Sequence, residues 1–419
     1  SLSPLNIKTS IGLSFHLGLT GETGKKALLE PKPQDTCADG TLSAVQYAFS
    51  ASAYNKPLKL YNQSFHGRLL ESDSLVLKGI APFSPLIDTM KDELRPREKV
   101  EKGKTRVFNQ LDFIVTLLFR RYFGAFLSFM RTHAGFTFHH GIGLDKEAVW
   151  GAYARQLLSF SQVGLDFDYS NFDGTVNQNA YAFFADVVDN YYSDFGTPTQ
   201  KARHAILDVL RENYHIVGDL ISYSIQGNKS GNPATDVFNS IANTYYLYIC
   251  HRVLVGGDIS NFDKHVRLVT YGDDGISAIK PSVLHTFNGP NIQKVLAQYG
   301  VVVTPADKTP TMPIAKPLLE CTFLKSPFVS HDDVWLCPLP VSSILKELKY
   351  RPKHCEEDPT DLEMRVRTTQ TFMAHHGPLA LQRFQRQLRE LGVPRTQLTL
   401  TFDSFINTIR IKQSSAVLY

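Results

Sequence analysis

Two short strands that meet at a pair of adjacent carboxylates constrain this chain more than any other feature. Val266-Arg267-Leu268-Val269 is a short β-branched run, Ile276-Ser277-Ala278-Ile279 is a second, mostly apolar one, and Thr270-Tyr271-Gly272-Asp273-Asp274-Gly275 lies between them. The pattern is strand, tight turn, strand, with two acids at the tip. Gly272 and Gly275 permit backbone conformations that other residues resist. Adjacent like charges in a turn cost free energy unless a cation offsets them, and a hard divalent metal bound through oxygen is the natural partner. A solvated hairpin turn is the plainer reading, because Gly-Asp is ordinary turn chemistry. The rest of the chain decides between the two.

A second acidic strand end lies at Val163-Gly164-Leu165-Asp166-Phe167-Asp168-Tyr169, which runs into Ser170-Asn171-Phe172-Asp173-Gly174. A buried carboxylate without a partner is costly, and metal ligation supplies a reason for one; an Asx turn at the strand end is the alternative. Asp166 and Asp168 share a strand face by period two. Further on, Gln226-Gly227-Asn228-Lys229-Ser230-Gly231-Asn232-Pro233-Ala234 is a Gly-rich loop feeding a helix expected over Thr235 to Val255. Thr235, Asn239 and Asn243 recur every four residues along it, so they share a face. That face suits a wet cleft; polar packing between helices is a fair rival for Asn243.

Residues 91–109 carry Lys91, Arg95, Arg97, Lys99, Lys102, Lys104 and Arg106, with Glu93, Glu98 and Glu101 interleaved. A solvated helix face would read this way, but Pro96 interrupts a helix. Lys99-Val100 and Lys104 to Val107 alternate as strands do. A basic hairpin over a phosphate-bearing ligand is expected.

The remaining segments fill in the frame. Ala44 to Ala53 reads as a short helix, Asp112 to Met130 as a core helix, and 177–215 as two helices. An amphipathic helix is expected over Asn291 to Gln298, then a strand at Val301 to Val303. A hairpin is expected from Cys321–Ser326 and Val334–Cys337, and helices over Leu362–Ala374, Pro378–Leu391 and Phe402–Ile411. Gly21-Glu22-Thr23-Gly24-Lys25-Lys26 lacks the full phosphate-loop pattern, which argues against an NTPase.

Composition adds bounds. The 419 residues are 43% hydrophobic and 20% charged, which excludes a disordered chain, and the net charge of +4 permits a polyanionic partner without demanding one. Cys37, Cys250, Cys321, Cys337 and Cys355 have no zinc-like spacing, which favours a reducing compartment. The longest apolar run, Phe113 to Phe119, is broken by Thr116 and followed by Arg120-Arg121, so no membrane span is expected. Ser1-Leu2-Ser3-Pro4 lacks the regions of a secretion signal, and the start without methionine suits a processed or trimmed chain.

Two acidic strand ends, a Gly-rich loop with a polar helix and a basic stretch together describe metal-assisted phosphoryl transfer on a nucleotide. In this order they resemble the RNA-dependent RNA polymerases of picorna-like positive-strand RNA viruses (order Picornavirales, 3D-polymerase-like). Asp168 through Asp173 resembles motif A, and Ser230, Gly231, Thr235 and Asn239 resemble motif B. Tyr271-Gly272-Asp273-Asp274 matches motif C, Thr304 to Lys308 resembles motif D, and Phe323-Leu324-Lys325 resembles motif E. Lys91 to Arg95 through Lys104 to Arg106 resembles motif F, and Thr9-Ser10-Ile11-Gly12 is a weaker match to motif G. Lys229 stands where the family usually has proline, Ser326 where arginine is often seen, and the segment ahead of motif G is almost absent. The forms of motifs A and B lean toward insect, plant or marine members rather than mammalian ones.

The resemblance implies an α+β fold, a closed right hand with an antiparallel palm sheet flanked by helices. Fingers would occupy 1–160, the palm 161–330 with a fingers insertion near 177–220, and a helical thumb 331–419. It implies that Asp168, Asp273 and Asp274 bind Mg²⁺, with Mn²⁺ as a substitute, and that Lys308 is the proton donor to pyrophosphate. Lys91, Arg95, Lys99, Lys104 and Arg106 would hold the triphosphate. Asp173, Ser230, Gly231, Thr235 and Asn239 would read the ribose, and Thr9, Ser10, Phe323, Leu324 and Lys325 would contact template or primer. The motif spacing selects Asp168 and Asp173 over Asp166. Partners would be RNA template and primer, rNTPs, a protein primer of the VPg kind and other viral replication proteins. The implied location is the host-cell cytoplasm at replication complexes, with indirect membrane association. A reverse transcriptase and a non-catalytic viral RNA-binding protein are the alternatives.

Overall fold

The structure is a computed structural model that describes residues 63–91, 93, 95–349 and 359–419, with short strands at Leu29–Pro31, Tyr47–Phe49 and Pro57–Leu58. Thr9, Ser10, the Gly21–Lys26 loop, Cys37 and Cys355 lie outside the described residues. Tyr47–Phe49 is a strand paired antiparallel with Leu29–Pro31, where the sequence suggested a helix over Ala44 to Ala53. The chain divides into two compact units, one built from 1–130 and 171–242, the other from 131–170 and 243–419.

The first unit contains a four-stranded sheet in the order Val107–Gln110, Leu86–Met90, Asn213–Val217, Leu220–Ser224. Its outer pairs are antiparallel, and the central pair, Leu86–Met90 with Asn213–Val217, is parallel. Helix Phe65–Leu77 precedes two others, Gln178–Tyr192 and Pro198–Arg211, which start where their capping residues dictate. Asn177 caps the second through Ala180 N, and Thr197 caps the third with Pro198 in its first turn. The helix Phe113–Thr132 is long and apolar enough, by length and composition, to cross a membrane, against the sequence expectation. Most of it is buried in the protein instead. Phe119 and Phe123 stack at 4.2 Å between ring centroids, and Phe184 packs on Phe238 at 4.3 Å. Rings of this size dominate core energetics through the area they bury.

The basic stretch differs from the expected hairpin in one respect. The strands Leu86–Met90 and Val107–Gln110 do pair antiparallel, but Arg97–Glu101 between them is a short helix. Pro96 does not interrupt this helix; it sits at the N-cap, where a missing N–H costs nothing. Lys99 is therefore helical rather than on a strand.

The second unit is organised on a five-stranded sheet in the order Val266–Tyr271, Asp274–Ile279, Val163–Ser170, Val302–Pro305, with Lys316–Pro317 also paired to Val163–Ser170. All these pairings are antiparallel. Val163–Ser170 is central, and its register sets Ile276 opposite Asp166, Ala278 opposite Gly164 and Thr304 opposite Asp168. At Gly164 the neighbouring strand comes so close that an added Cβ would lie 2.2 Å from the Ser277 carbonyl oxygen and 2.7 Å from Leu318 Cδ1. The helix Lys146–Phe160 is capped by Asp145 through Glu147 N. It contributes Trp150, Tyr153, Ala154 and Leu157 to a core with Val269, Ile276, Ala278 and Phe323.

The C-terminal helices Pro359–Ala374, Pro378–Glu390 and Phe402–Ser415 fall where the apolar spacing puts them. They close two smaller cores, around Phe405 and Ile409 and around Phe384 and Val366. The expected hairpin after residue 320 is displaced. Val329–His331 pairs with Val334–Leu336, while Phe323 and Ser326 close a separate tight turn. Cys250, Cys321 and Cys337 are free and buried.

Candidate active site

Asp168 and Asp273-Asp274 reach one end of the second unit's sheet by strand register. The pairing of Ile276 with Asp166, carried two residues toward the turn, sets Asp274 level with Asp168. Asp168 and Asp273 are exposed. Gly272 has φ +64°, in the left-handed region where glycine carries no Cβ penalty. Asn243 holds the turn from behind: its Nδ2 donates to the carbonyls of Gly272 and Asp273, both at 3.2 Å, and its Oδ1 accepts from the Tyr169 hydroxyl at 2.8 Å. Asn243 is almost wholly buried, so here the packing reading wins over the cleft reading.

The two adjacent acids are unlike each other. Asp274 Oδ2 accepts the backbone N–H of Leu324 at 2.7 Å. Burial raises its pKa to about 6, opposed by that hydrogen bond and helped by the charge of Asp273. Asp166, on the same strand face as Asp168, is taken up by the fold. Lys316 Nζ lies 2.6 Å from its Oδ1, and its Oδ2 accepts from Thr322 N at 2.7 Å and Thr322 Oγ1 at 3.0 Å. Lys308, in the left-handed region at φ +61°, pairs its ammonium with Asp168. Among the described residues no group of three or more His, Cys, Asp or Glu converges closely enough to hold a metal alone. The donors that Asp168, Asp273 and Asp274 offer are carboxylate oxygens. They suit a hard cation of the Mg²⁺ kind, which keeps waters and substrate phosphates among its ligands.

Phe323, Leu324 and Lys325 form a strained turn in this unit. Phe323 and Ser326 exchange both backbone hydrogen bonds at 3.0 Å, and Leu324 and Lys325 have φ +50° and +62°. Two consecutive positive φ values define the hairpin turn that usually takes Asn-Gly. Here non-glycine residues occupy it, held by Asp274 and by Lys146, whose Nζ donates to Leu324 O at 3.1 Å and Ser326 Oγ at 2.7 Å. Phe323 is buried beside Trp150 and Tyr153, and Lys325 is exposed.

The first unit gathers the other expected residues. Asp173 Oδ1 accepts from Asn239 Nδ2 at 2.7 Å, Asn239 Oδ1 from Asn228 at 2.7 Å, and Asn228 Oδ1 from Asn232 at 2.8 Å. This amide chain fixes Asp173 against the Gly-rich loop. Asn228 and Asn232 were not singled out in the sequence; their places beside Ser230 in a Gly-rich loop were the only signal. Thr235 Oγ1 donates to Ser230 O at 3.1 Å and Asn232 O at 2.9 Å, closing the loop onto the helix. Among the basic residues, Glu93 lies 3.0 Å from Arg95 and 3.4 Å from Arg106, so one carboxylate aligns two guanidiniums. Lys99, Lys104 and Arg106 are exposed, and Lys91 joins Arg106 through its backbone N–H at 2.8 Å.

Comparison with known proteins identifies the family. A family model for viral RNA-dependent RNA polymerase matches residues 47–391. The genome polyprotein of rice tungro spherical virus (strain Vt6) is 30% identical over 95% of this chain, which spans 11% of that polyprotein. The genome polyprotein of Theiler's murine encephalomyelitis virus (strain GDVII) is 29% identical over 76% of the chain, across 13% of its own length. The chain thus spans about a tenth of the length of these relatives. A Sicinivirus 3Dpol RNA-dependent RNA polymerase structure superposes with a TM-score of 0.71 at 19% identity, covering 98% of this chain and 78% of that one. The chain belongs to the viral RNA-dependent RNA polymerase family.

Proposed function

We propose that the chain copies an RNA template by transferring nucleotidyl groups from rNTPs to an RNA 3′-hydroxyl. The observation that carries this reading is the placement of Asp168 and the Asp273-Asp274 turn at the same end of neighbouring antiparallel strands. Mg²⁺, or Mn²⁺ in its place, would be held by Asp168 and Asp273 with Asp274 beside them, and would supply activation of the hydroxyl and neutralisation of the triphosphate. Asp274 acts mainly through its bond to Leu324, which ties the acidic turn to the Phe323–Lys325 turn that contacts primer.

Arg95 and Arg106, aligned by Glu93, hold phosphate oxygens in the forked geometry guanidinium offers, with Lys91, Lys99 and Lys104 adding charge. Asp173, oriented by Asn239, reads the 2′-hydroxyl, the group that separates RNA from DNA. Ser230 and Gly231 present the loop to the nucleotide. Lys308 is bonded to Asp168 and must leave it before its ammonium can protonate pyrophosphate.

We read the five-stranded sheet as palm, the earlier segments as fingers and the C-terminal helices as thumb. A protein primer, other viral replication proteins and a site of action at cytoplasmic replication complexes belong to the same proposal. The test is incorporation of labelled rNTPs on a primed homopolymer with and without Mg²⁺ or Mn²⁺. Metal-dependent extension with rNTPs preferred over dNTPs is expected; a preference for dNTPs, or no extension, would overturn the reading.

A further inference from the structure

The four-stranded sheet of the first unit holds a polar chain that nucleotidyl transfer, as described above, does not use. Asn109 Nδ2 donates to Asp88 Oδ1 at 2.6 Å. His215 Nδ1 lies 2.9 Å from the same oxygen, and His215 Nε2 lies 2.9 Å from Ser224 Oγ. Lys229 Nζ then donates to Ser224 Oγ at 2.5 Å and to the Gln226 carbonyl at 2.8 Å. The Ser224 oxygen accepts from the Lys229 ammonium and, through its remaining hydroxyl capacity, joins His215 Nε2, while His215 Nδ1 meets Asp88.

Asp, His and Ser in this order, at these distances, are the connectivity of a hydrolase triad. Lys229 removes the set from that chemistry, because its ammonium occupies the serine lone pair that would attack. The lysine is 4% exposed. Burial lowers its pKa to about 8, with Asp88 opposing the shift. Packing alone gives no reason to bury an ammonium, whose desolvation is costly.

Its place in the chain gives the reason. Lys229 immediately precedes Ser230 and Gly231. Gly231 is pressed on the same sheet, where an added Cβ would lie 1.8 Å from the Asn109 carbonyl oxygen. The loop is thus docked at two successive points, an ammonium and a bare Cα.

We propose that Lys229 is a positioning residue for ribonucleotide selection: backed by Ser224, His215 and Asp88, it fixes the loop that presents Ser230 and Gly231 to the incoming nucleotide. The proposal rests on the assignment of that loop to nucleotide contact made above. Lys229 stands where the family usually has proline, so a side-chain anchor here replaces a backbone stiffened by its ring.

The test compares wild type, Lys229→Met, Ser224→Ala and the double variant in two ways. The first is hydrogen exchange of the 226–234 peptide. The second is steady-state primer extension with rNTPs and dNTPs. Each single variant should speed exchange and raise the rNTP KM by about tenfold with a smaller effect on kcat, as loss of a charge-assisted anchor predicts. Preference for rNTPs over dNTPs should fall in step. The double variant should be no worse than the singles, since both remove one link.

Unchanged exchange, additive effects, or an unaltered ratio of rNTP to dNTP use would overturn the proposal. So would labelling of Ser224 by a fluorophosphonate, which would mean a nucleophile rather than an anchor. A wild-type protein that fails to extend any primer would instead sink the polymerase reading and the selection role with it, while exchange would still decide the anchoring.

Discussion

Asp274 Oδ2 accepts the backbone N–H of Leu324 at 2.7 Å, so the acidic turn and the Phe323–Lys325 turn share a hydrogen bond fifty residues apart in sequence. Asp274→Ala removes the acceptor, whereas Asp274→Asn keeps an oxygen for it. At pH 4 alanine should therefore weaken primer-RNA binding and cost about 1–3 kcal/mol of stability, and asparagine should spare both. Urea unfolding and RNA titration in parallel measure the two effects.

The same side chain gives a pH dependence with a definite sign. Its folded pKa of about 6 lies above the ordinary aspartate value of 3.8, so the folded state binds the extra proton. Its contribution is fully present below about 4 and is lost as pH rises through about 6. Asp274→Asn should gain on wild type across that window by up to about 2 kcal/mol at pH 7, allowing for partial solvent screening. Urea midpoints of the two proteins at pH 4 and pH 7 check it; an unchanged difference would mean Asp274 titrates normally.

Asp273 is exposed, whereas Asp274 is half-buried and bonded to Leu324 N. Asp273→Ala should lower primer extension by at least about a thousandfold while RNA affinity stays within about twofold. Retained synthesis would remove Asp273 from the catalytic set.

Asn239 joins Asp173 to the amides of Asn228 and Asn232. Asn239→Ala should leave Asp173 free to turn and reduce rNTP over dNTP preference by about tenfold in kcat/KM, with dNTP use itself little changed. Equal losses for both nucleotides would point to general misfolding of the loop instead.

Lys325 sits at φ +62° without being glycine. Lys325→Gly should raise stability by about 1 kcal/mol by relieving that conformation, and at the same time weaken primer binding because the exposed ammonium is gone. A variant less stable than wild type would show that the turn carries no strain.

How much of this was legible beforehand followed from what kind of information each feature needs. The placement of Asp168, Asp273 and Asp274 at strand ends is legible because the flanking strands and the glycine turn form a local pattern. The long helices were readable from apolar spacing. The partners of Asp166 (Lys316 and Thr322) lie about 150 residues away, and no local pattern joins them. Pro96 was read as a helix breaker because sequence does not distinguish an N-cap from an interior position. The hairpin after residue 320 was misplaced because Leu324 and Lys325 adopt conformations their side chains disfavour, imposed by Asp274 and Lys146 from elsewhere in the chain. Asn239 stands out by its four-residue spacing with Thr235 and Asn243, but its links to Asn228, Asn232 and Asp173 join separate segments and carry no local pattern.

The close approach at Gly164 has a reach beyond packing. That residue lies four positions before Asp168 on the strand, paired with Ala278 of the neighbour that leads back to Asp274. The two strands are laced together at a point with no side chain, and from there they run to the acids as two fingers of one caliper. A methyl group at Gly164 is a wedge at the pivot: it touches no substrate, no metal and no acid, yet it opens the gap between the carboxylates. The spacing of the acidic strand ends is thus set by the residue with the least chemistry to offer.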